Sequence, residues 1–333
     1  MLIDKNALEQ LFAQDSSQPI FVDLGIKGDN FVKGPIIKRE ISTLKSFKQK
    51  SVSDIANAEG SPSYETINDL VKVLKKLSIL PDMTGFGVEL GSGIGLLSSA
   101  ILDEDNQSKI RGVLAVEAVL PFVEFGIKFT AREILGNDQY KILPCYGSFN
   151  SMNIADTTID FIIQIEALHH ADHLMPPIAE TFRILKQGGF FVSIDRSWPN
   201  ETKRAVLEEL LDHKYSKDWL IQKGFPVGIF TRRDNGEHEY TDNDWETAFE
   251  KTGYTRKRII HLHPELTLRH VFKRVICLFK LNGIFGIKIK SRNGLIRSFL
   301  IYKLKLKTTK FSSVIISPHP RPLTISIWEK PNY

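Results

Sequence analysis

Between residues 86 and 195 two kinds of apolar pattern alternate, and that alternation leaves few folds open. "FGVEL", "RGVLAVE", "YKILPCY", "DFIIQIE" and "FFVSID" are short apolar runs bounded by turn signals, as buried strands are. "GLLSSAILDED", "VEFGIKFTAREIL" and "MPPIAETFRILK" lie between them and read as helices, the last stopping at Gly188-Gly189. This order predicts a parallel sheet covered on both faces. Upstream, Ile67, Leu70, Val71, Leu74 and Leu77 recur at helical spacing, with Ser61 or Ser63 as the cap and Pro81 beyond the end. Downstream, "YTDNDWETAFEKTGY" predicts a helix capped by Thr241 or Asp242 and closed at Gly253. Strands are expected at about 256–263 and 322–329.

The 333 residues suit one large α/β domain with additions. We divide the chain into a helical N-terminal extension, 1–66, and a main domain, 67–333, with insertions at about 196–240 and 265–320. Cys145 and Cys277 are too few and too far apart for a disulfide framework or a metal site, so no metal is expected. The start "MLIDKNALEQLFAQDSS" does not read as a signal peptide, and no window is apolar enough to span a bilayer. A cytoplasmic protein is expected, with contact at the inner face of a membrane as an option.

Three glycines at alternate positions follow the first of these strands, in "VELGSGIGLLS". A strand, a glycine-rich turn and a helix form the nucleotide-binding arrangement of doubly wound sheets. The dinucleotide fingerprint G-x-G-x-x-G is absent, because position 96 is Leu. Glu89 precedes Gly91 by two residues, and Glu117 ends the next strand 22 residues after Gly95. A carboxylate at that strand end can accept hydrogen bonds from ribose hydroxyls.

From about Leu70 to Asp195 the chain resembles the class I S-adenosylmethionine-dependent methyltransferases. "VELGSGIG" is similar to their first motif, "LAVEA" to their ribose-binding acid and "RILKQGGFF" to their R-x-L-K-x-G-G turn. "DFIIQIEALHHADH" is similar to the fourth-strand motif of the small-molecule branch. The resemblance implies a doubly wound, mostly parallel seven-stranded sheet and S-adenosylmethionine as cofactor. It implies that Glu89 orients the methionine amino end, and that Gly91, Ser92, Gly93 and Gly95 pass beneath the methionine and ribose. Glu117 would hold the ribose hydroxyls, with Ala118 and Val119 beside the adenine. Ser148 and Phe149 match a loop where the family often has an Asp on the adenine amino group; here Ser148 stands in that place. Ile165 and Glu166 would border the sulfonium.

Methyl transfer from a sulfonium is an in-line displacement, in which alignment does most of the work. A hydroxyl or protonated amine acceptor also needs a base. "LHHADH" places His169, His170, Asp172 and His173 after the fourth strand, at the edge where open α/β sheets bind ligands. His170 is the candidate base and Asp172 its candidate orienting partner. The alternative is that His169 and His170 shape the pocket or cap the next helix.

Both insertions leave strands at that same edge, so they should flank the acceptor. Residues 266–310 hold twelve of the 44 Lys and Arg residues and no Asp or Glu, while the rest of the chain carries all 39 acids. Within this segment Leu268, Val271, Phe272, Val275 and Phe279 recur at helical spacing beside Arg269, Lys273, Arg274 and Lys280. Such a basic amphipathic helix fits peripheral contact with an anionic membrane face, or an anionic acceptor. The expected acceptor is a small molecule, a glycan or a lipid-linked precursor. Nucleic acid ranks below these, since no RNA module is recognisable and Leu-His-His differs from the [ND]-P-P-[YF] motif of amino-methylating nucleic-acid enzymes. A non-catalytic assembly subunit that keeps the fold is the alternative of another class. The N-terminal extension would cover the pocket or form the contact of a homodimer.

Overall fold

The computed structural model describes residues 2–12, 22–25, 51–52, 63–105, 107–222, 227–264, 312–317 and 323–332. Their strands form one sheet: β1 (Val22–Gly25), β2 (Gly85–Leu90), β3 (Ile110–Glu117), β4 (Ile142–Gly147), β5 (Ile159–Ile165), β6 (Leu185–Arg196), β7 (Thr255–Pro264), β8 (Ser312–Ser317) and β9 (Leu323–Glu329). The order is β1-β4-β3-β2-β5-β6-β9-β7-β8. Only β9 runs antiparallel to its neighbours, β6 and β7.

Helices α1 (Lys5–Leu11), α2 (Tyr64–Lys76), α3 (Leu96–Asp103), α4 (Ile127–Leu135), α5 (Met175–Ile184), α6 (Arg204–Leu211), α7 (Lys217–Gln222) and α8 (Asp242–Thr252) accompany it. The strands alternate their side chains between two cores, as the pleat requires. Val113 and Ala115 of β3 join Val71 of α2, Ile101 of α3 and Ile127 of α4 on one face. Leu114 and Val116 join Leu8 of α1, Ile178 of α5 and Phe249 of α8 on the other. The doubly wound reading of the sequence therefore holds. Thr241 caps α8 in a reciprocal box with Asp244, and Gly253 closes it at φ 105°.

The sheet has nine strands where seven were expected. β1 lies in the extension read as helical and pairs with β4. At four residues it is too short to show a period, and the exposed edge of β4 fixes its register. β8 lies inside the stretch read as the second insertion and pairs with β7. α2 begins at Tyr64, with Ser63 accepting the Thr66 amide proton as cap. α5 stops at Ile184, short of the glycines, because Leu185 turns extended and opens β6 against Ile159; Lys330 Nζ donates to the carbonyls of Phe182 and Leu185 there. Residues 265–311, with the basic amphipathic stripe, lie outside the described residues. Among the described residues no helix is long and apolar enough to cross a membrane.

Candidate functional site

The parallel strands β2, β3, β5 and β6 end at one edge, and the turn after β2 opens there. Gly91, Gly93 and Gly95 all take positive φ, at 58°, 53° and 78°. Two of them are needed for different reasons. A Cβ on Gly91 would stand 2.5 Å from the Ala167 methyl, whereas a Cβ on Gly93 would enter open space. The bare Gly93 backbone thus faces a void.

Two buried acids brace this turn. Glu89 accepts from the Ser98 amide at 3.1 Å and from the Ser98 hydroxyl, so it serves the first turn of α3, whose cap, Gly95, has no side chain to do so. Glu117 accepts from Gly93 N at 2.7 Å and Val119 N at 2.9 Å, locking the glycine turn to the end of β3. Burial pushes both carboxyls up, Glu89 to about 8 and Glu117 to about 7, against the pull of these hydrogen bonds.

A cavity of about 260 Å³ opens over the turn. Glu89, Gly91, Ser92, Gly93, Ile165, Glu166 and His170 line it, as do Ile67, Leu96, Leu97, His169, Arg196 and Glu237. Glu117 and Gly95 are not among its lining residues. Ala118, Ser148 and Phe149 also lie outside it; the Ser148 hydroxyl accepts from Asn150 N at 3.1 Å. Two buried donors on the wall have no hydrogen-bond partner among the described residues, the Ser92 hydroxyl and Arg196 Nε.

The histidines sit at the other end. His170 Nδ1 is 3.0 Å from the Gly236 carbonyl. A carbonyl only accepts, so Nδ1 carries the proton and the neutral ring keeps its lone pair on Nε2. Burial favours that neutral form and lowers the His170 pKa; Arg196 acts the same way, while Glu237, Asp195 and the Gly236 bond oppose it. His170 Nδ1 thus faces the Gly236 carbonyl, whereas Asp172 was its expected orienting partner. Asp172 is 82% exposed and lies 3.2 Å from His238 Nε2. The buried carboxylate beside the histidines is Asp195, 2.7 Å from His169 Nδ1. Asp195 ends the next strand, a relation that no local spacing could have shown.

Arg196 and Glu237 were also missed. The segment 196–240 leaves β6, carries α6 and α7, and returns along the "LHHAD" loop. His238 N donates to the His169 carbonyl at 2.8 Å, and the Tyr240 hydroxyl donates to the Ala171 carbonyl at 2.6 Å. This return places Glu237 against Arg196 Nη1 at 2.7 Å and Arg232 Nε at 2.9 Å. Glu239 pairs with both guanidinium groups as well. Burial opposes the Glu237 charge, but Arg196, Tyr215 and Asn235 outweigh it and hold the carboxyl down at about 2.

Residues 88–193 match the methyltransferase-domain family. The chain is 25% identical over 126 residues to the uncharacterized methyltransferase YcgJ of Bacillus subtilis, covering 38% of this chain and 45% of that protein. It is 25% identical over 171 residues to fusarielin synthase FSL1 of Gibberella zeae, covering 50% of this chain and 6% of that one. The chain thus spans less than half the length of these curated relatives. Among solved structures it is similar to a candidate sarcosine dimethylglycine methyltransferase from Galdieria sulphuraria, at 13% identity, TM-score 0.52, and coverage of 88% of this chain and 98% of that one. Fold, glycine turn and family match agree: over residues 88–193 the chain carries a class I methyltransferase domain, whose methyl donor is S-adenosylmethionine.

Proposed function

We propose that the protein is an active methyltransferase that acts on a small-molecule, glycan or lipid-linked acceptor held at the histidine end of the cavity. One observation carries this reading: a single cavity runs from the glycine turn to His170 and Arg196. S-adenosylmethionine, when bound, supplies a methyl group on a positively charged sulfur. The chain has features that fit this donor. The open space over Gly93 leaves room against the turn backbone, and the unpartnered Ser92 hydroxyl offers a hydrogen bond. Glu89 and Glu117 can accept from an ammonium and from ribose hydroxyls, since each carboxylate oxygen has a further lone pair. Ile165 and Glu166 border the path between the two ends.

At the acceptor end, His170 takes up the acceptor's proton on Nε2. Its contact with the Gly236 carbonyl, on the returning segment, fixes the ring. Contact of the cationic segment 266–310 with an anionic membrane face remains part of this reading, as does a homodimer.

The test is incubation with labelled S-adenosylmethionine and a cell lysate, followed by separation into small-molecule, glycan, lipid and nucleic-acid fractions. Label is expected in one of the first three. Substituting His170→Gln should lower its incorporation by about 10²–10⁴-fold, the usual worth of a positioned base. Label confined to nucleic acid would overturn the acceptor class, and an unchanged rate in the variant would remove the base.

A further inference from the structure

Resting on that reading, we infer that the acceptor is an amine, that it enters as its ammonium form, and that the Glu166 carboxylate anchors it. Glu166 follows β5 directly and holds φ at +47°, a left-handed backbone that a non-glycine residue adopts only at a cost. Its amide donates to the Ile194 carbonyl of β6 at 2.8 Å, which ties this strained residue across the sheet. The strand order sets β5 between β2, which bears the glycine turn, and β6, which bears Arg196. Glu166 therefore stands at the junction of the two ends of the cavity.

Its carboxylate lines the cavity and accepts no hydrogen bond from any described residue. The side chain is 26% exposed, and the cation paired with it among the described residues, Arg196 Nε, is 3.9 Å away, beyond hydrogen-bond reach. Arg196 does not supply a free positive charge there, because Glu237 and Glu239 already engage it. Arg232 is engaged by the same two carboxylates. With Asp195 and Glu166 added, acids outnumber guanidinium groups around this end. An anionic acceptor would meet Glu166 as a like charge. A protonated amine would find in it a carboxylate that none of the described residues hydrogen-bonds. This differs from the anionic acceptor expected from the cationic segment, whose residues lie outside those described.

The reaction balances with groups already named. The ammonium proton passes to His170 Nε2. The freed nitrogen lone pair forms the N–CH₃ bond as the S–CH₃ bond breaks, its electron pair going to sulfur. Positive charge moves from sulfur to nitrogen, and Glu166, placed at the junction, stabilises it on the acceptor side.

The experiment separates a lysate's small molecules into cationic, neutral and anionic fractions by ion exchange at pH 7. Each is offered to the full chain with labelled S-adenosylmethionine. Label should enter the cationic fraction, and Glu166→Gln should raise the apparent KM for it at least tenfold. Glu166→Gly, which relieves the backbone strain while removing the carboxylate, should do the same. Calorimetric affinity for S-adenosylhomocysteine should stay within about twofold in both variants, which also shows that they fold. Absence of label from the cationic fraction overturns the amine assignment. So does a loss of S-adenosylhomocysteine affinity in both variants matching the KM change, since Glu166 would then serve the donor. Failure of the wild-type chain to bind S-adenosylhomocysteine at all would instead sink the methyltransferase reading.

Discussion

The two ends of the cavity hold buried charge in opposite ways. At the glycine turn, Glu89 and Glu117 face backbone amides and one hydroxyl, and burial keeps their carboxyls up at about 8 and about 7. At the other end, Glu237 faces two guanidinium groups and is held down at about 2. The first arrangement leaves acids ready to ionise when a cationic or hydroxyl-bearing ligand arrives. The second pairs its carboxylates with guanidinium groups of the protein itself and fixes the shape of a wall. In the proposed function the first end offers its acids to the methyl donor and the second holds the wall beside the acceptor, with Glu166 at the seam.

The sharpest way to break this comparison is at Arg196. Its guanidinium is 3% exposed and holds two buried carboxylates. Arg196→Met should cost about 3–5 kcal/mol of stability in urea unfolding, because it strands uncompensated charge. S-adenosylhomocysteine affinity of the folded fraction should change little. Intact stability with lost affinity would show that Arg196 belongs to the donor end.

Glu117→Ala is the complementary change and should have a smaller effect. It removes an acceptor of two backbone amides and, in the proposed function, of the ribose, at about 1.5–3 kcal/mol for hydrogen bonds to a charged group. Affinity for S-adenosylhomocysteine should fall about tenfold to a hundredfold by calorimetry. Unchanged affinity would leave Glu117 with only a bracing role.

The contrast also explains what could be read in advance. The donor end comes from residues 89–117, so the period of its strand, the glycines and the acid at the next strand end all fall within one βαβ unit. Seven of the nine strands showed their own apolar runs. β1 did not, because four residues joined to an edge carry no period. The spacing of the sequence points to Asp172 and gives no sign of Asp195, since sequence shows neighbours along the chain and conceals neighbours across strands. The Arg196–Glu237 pair, 41 residues apart, depends on the path of the 196–240 segment back along the "LHHAD" loop. Arg196 did follow the strand end directly, and an arginine emerging at a parallel strand's carboxyl edge was the signal available.

The smallest effect concerns protons. Glu89 and Glu117 have folded-state pKa values above their ordinary one, so the folded chain binds more protons than the unfolded chain from about pH 4.5 to about pH 8. Their contribution to stability is full below that window and is lost as pH rises through it. A bound ammonium and ribose favour the ionised carboxylates, so ligand binding at pH 7 should release about one proton. Titrating S-adenosylmethionine into the wild-type chain at pH 7, in two buffers of different ionisation enthalpy, reads both the binding and the proton. One equivalent bound, with a buffer-dependent heat corresponding to proton release, is the predicted result. A titration without heat in either buffer, or a binding heat that is the same in both, would contradict an S-adenosylmethionine seat built on Glu89 and Glu117.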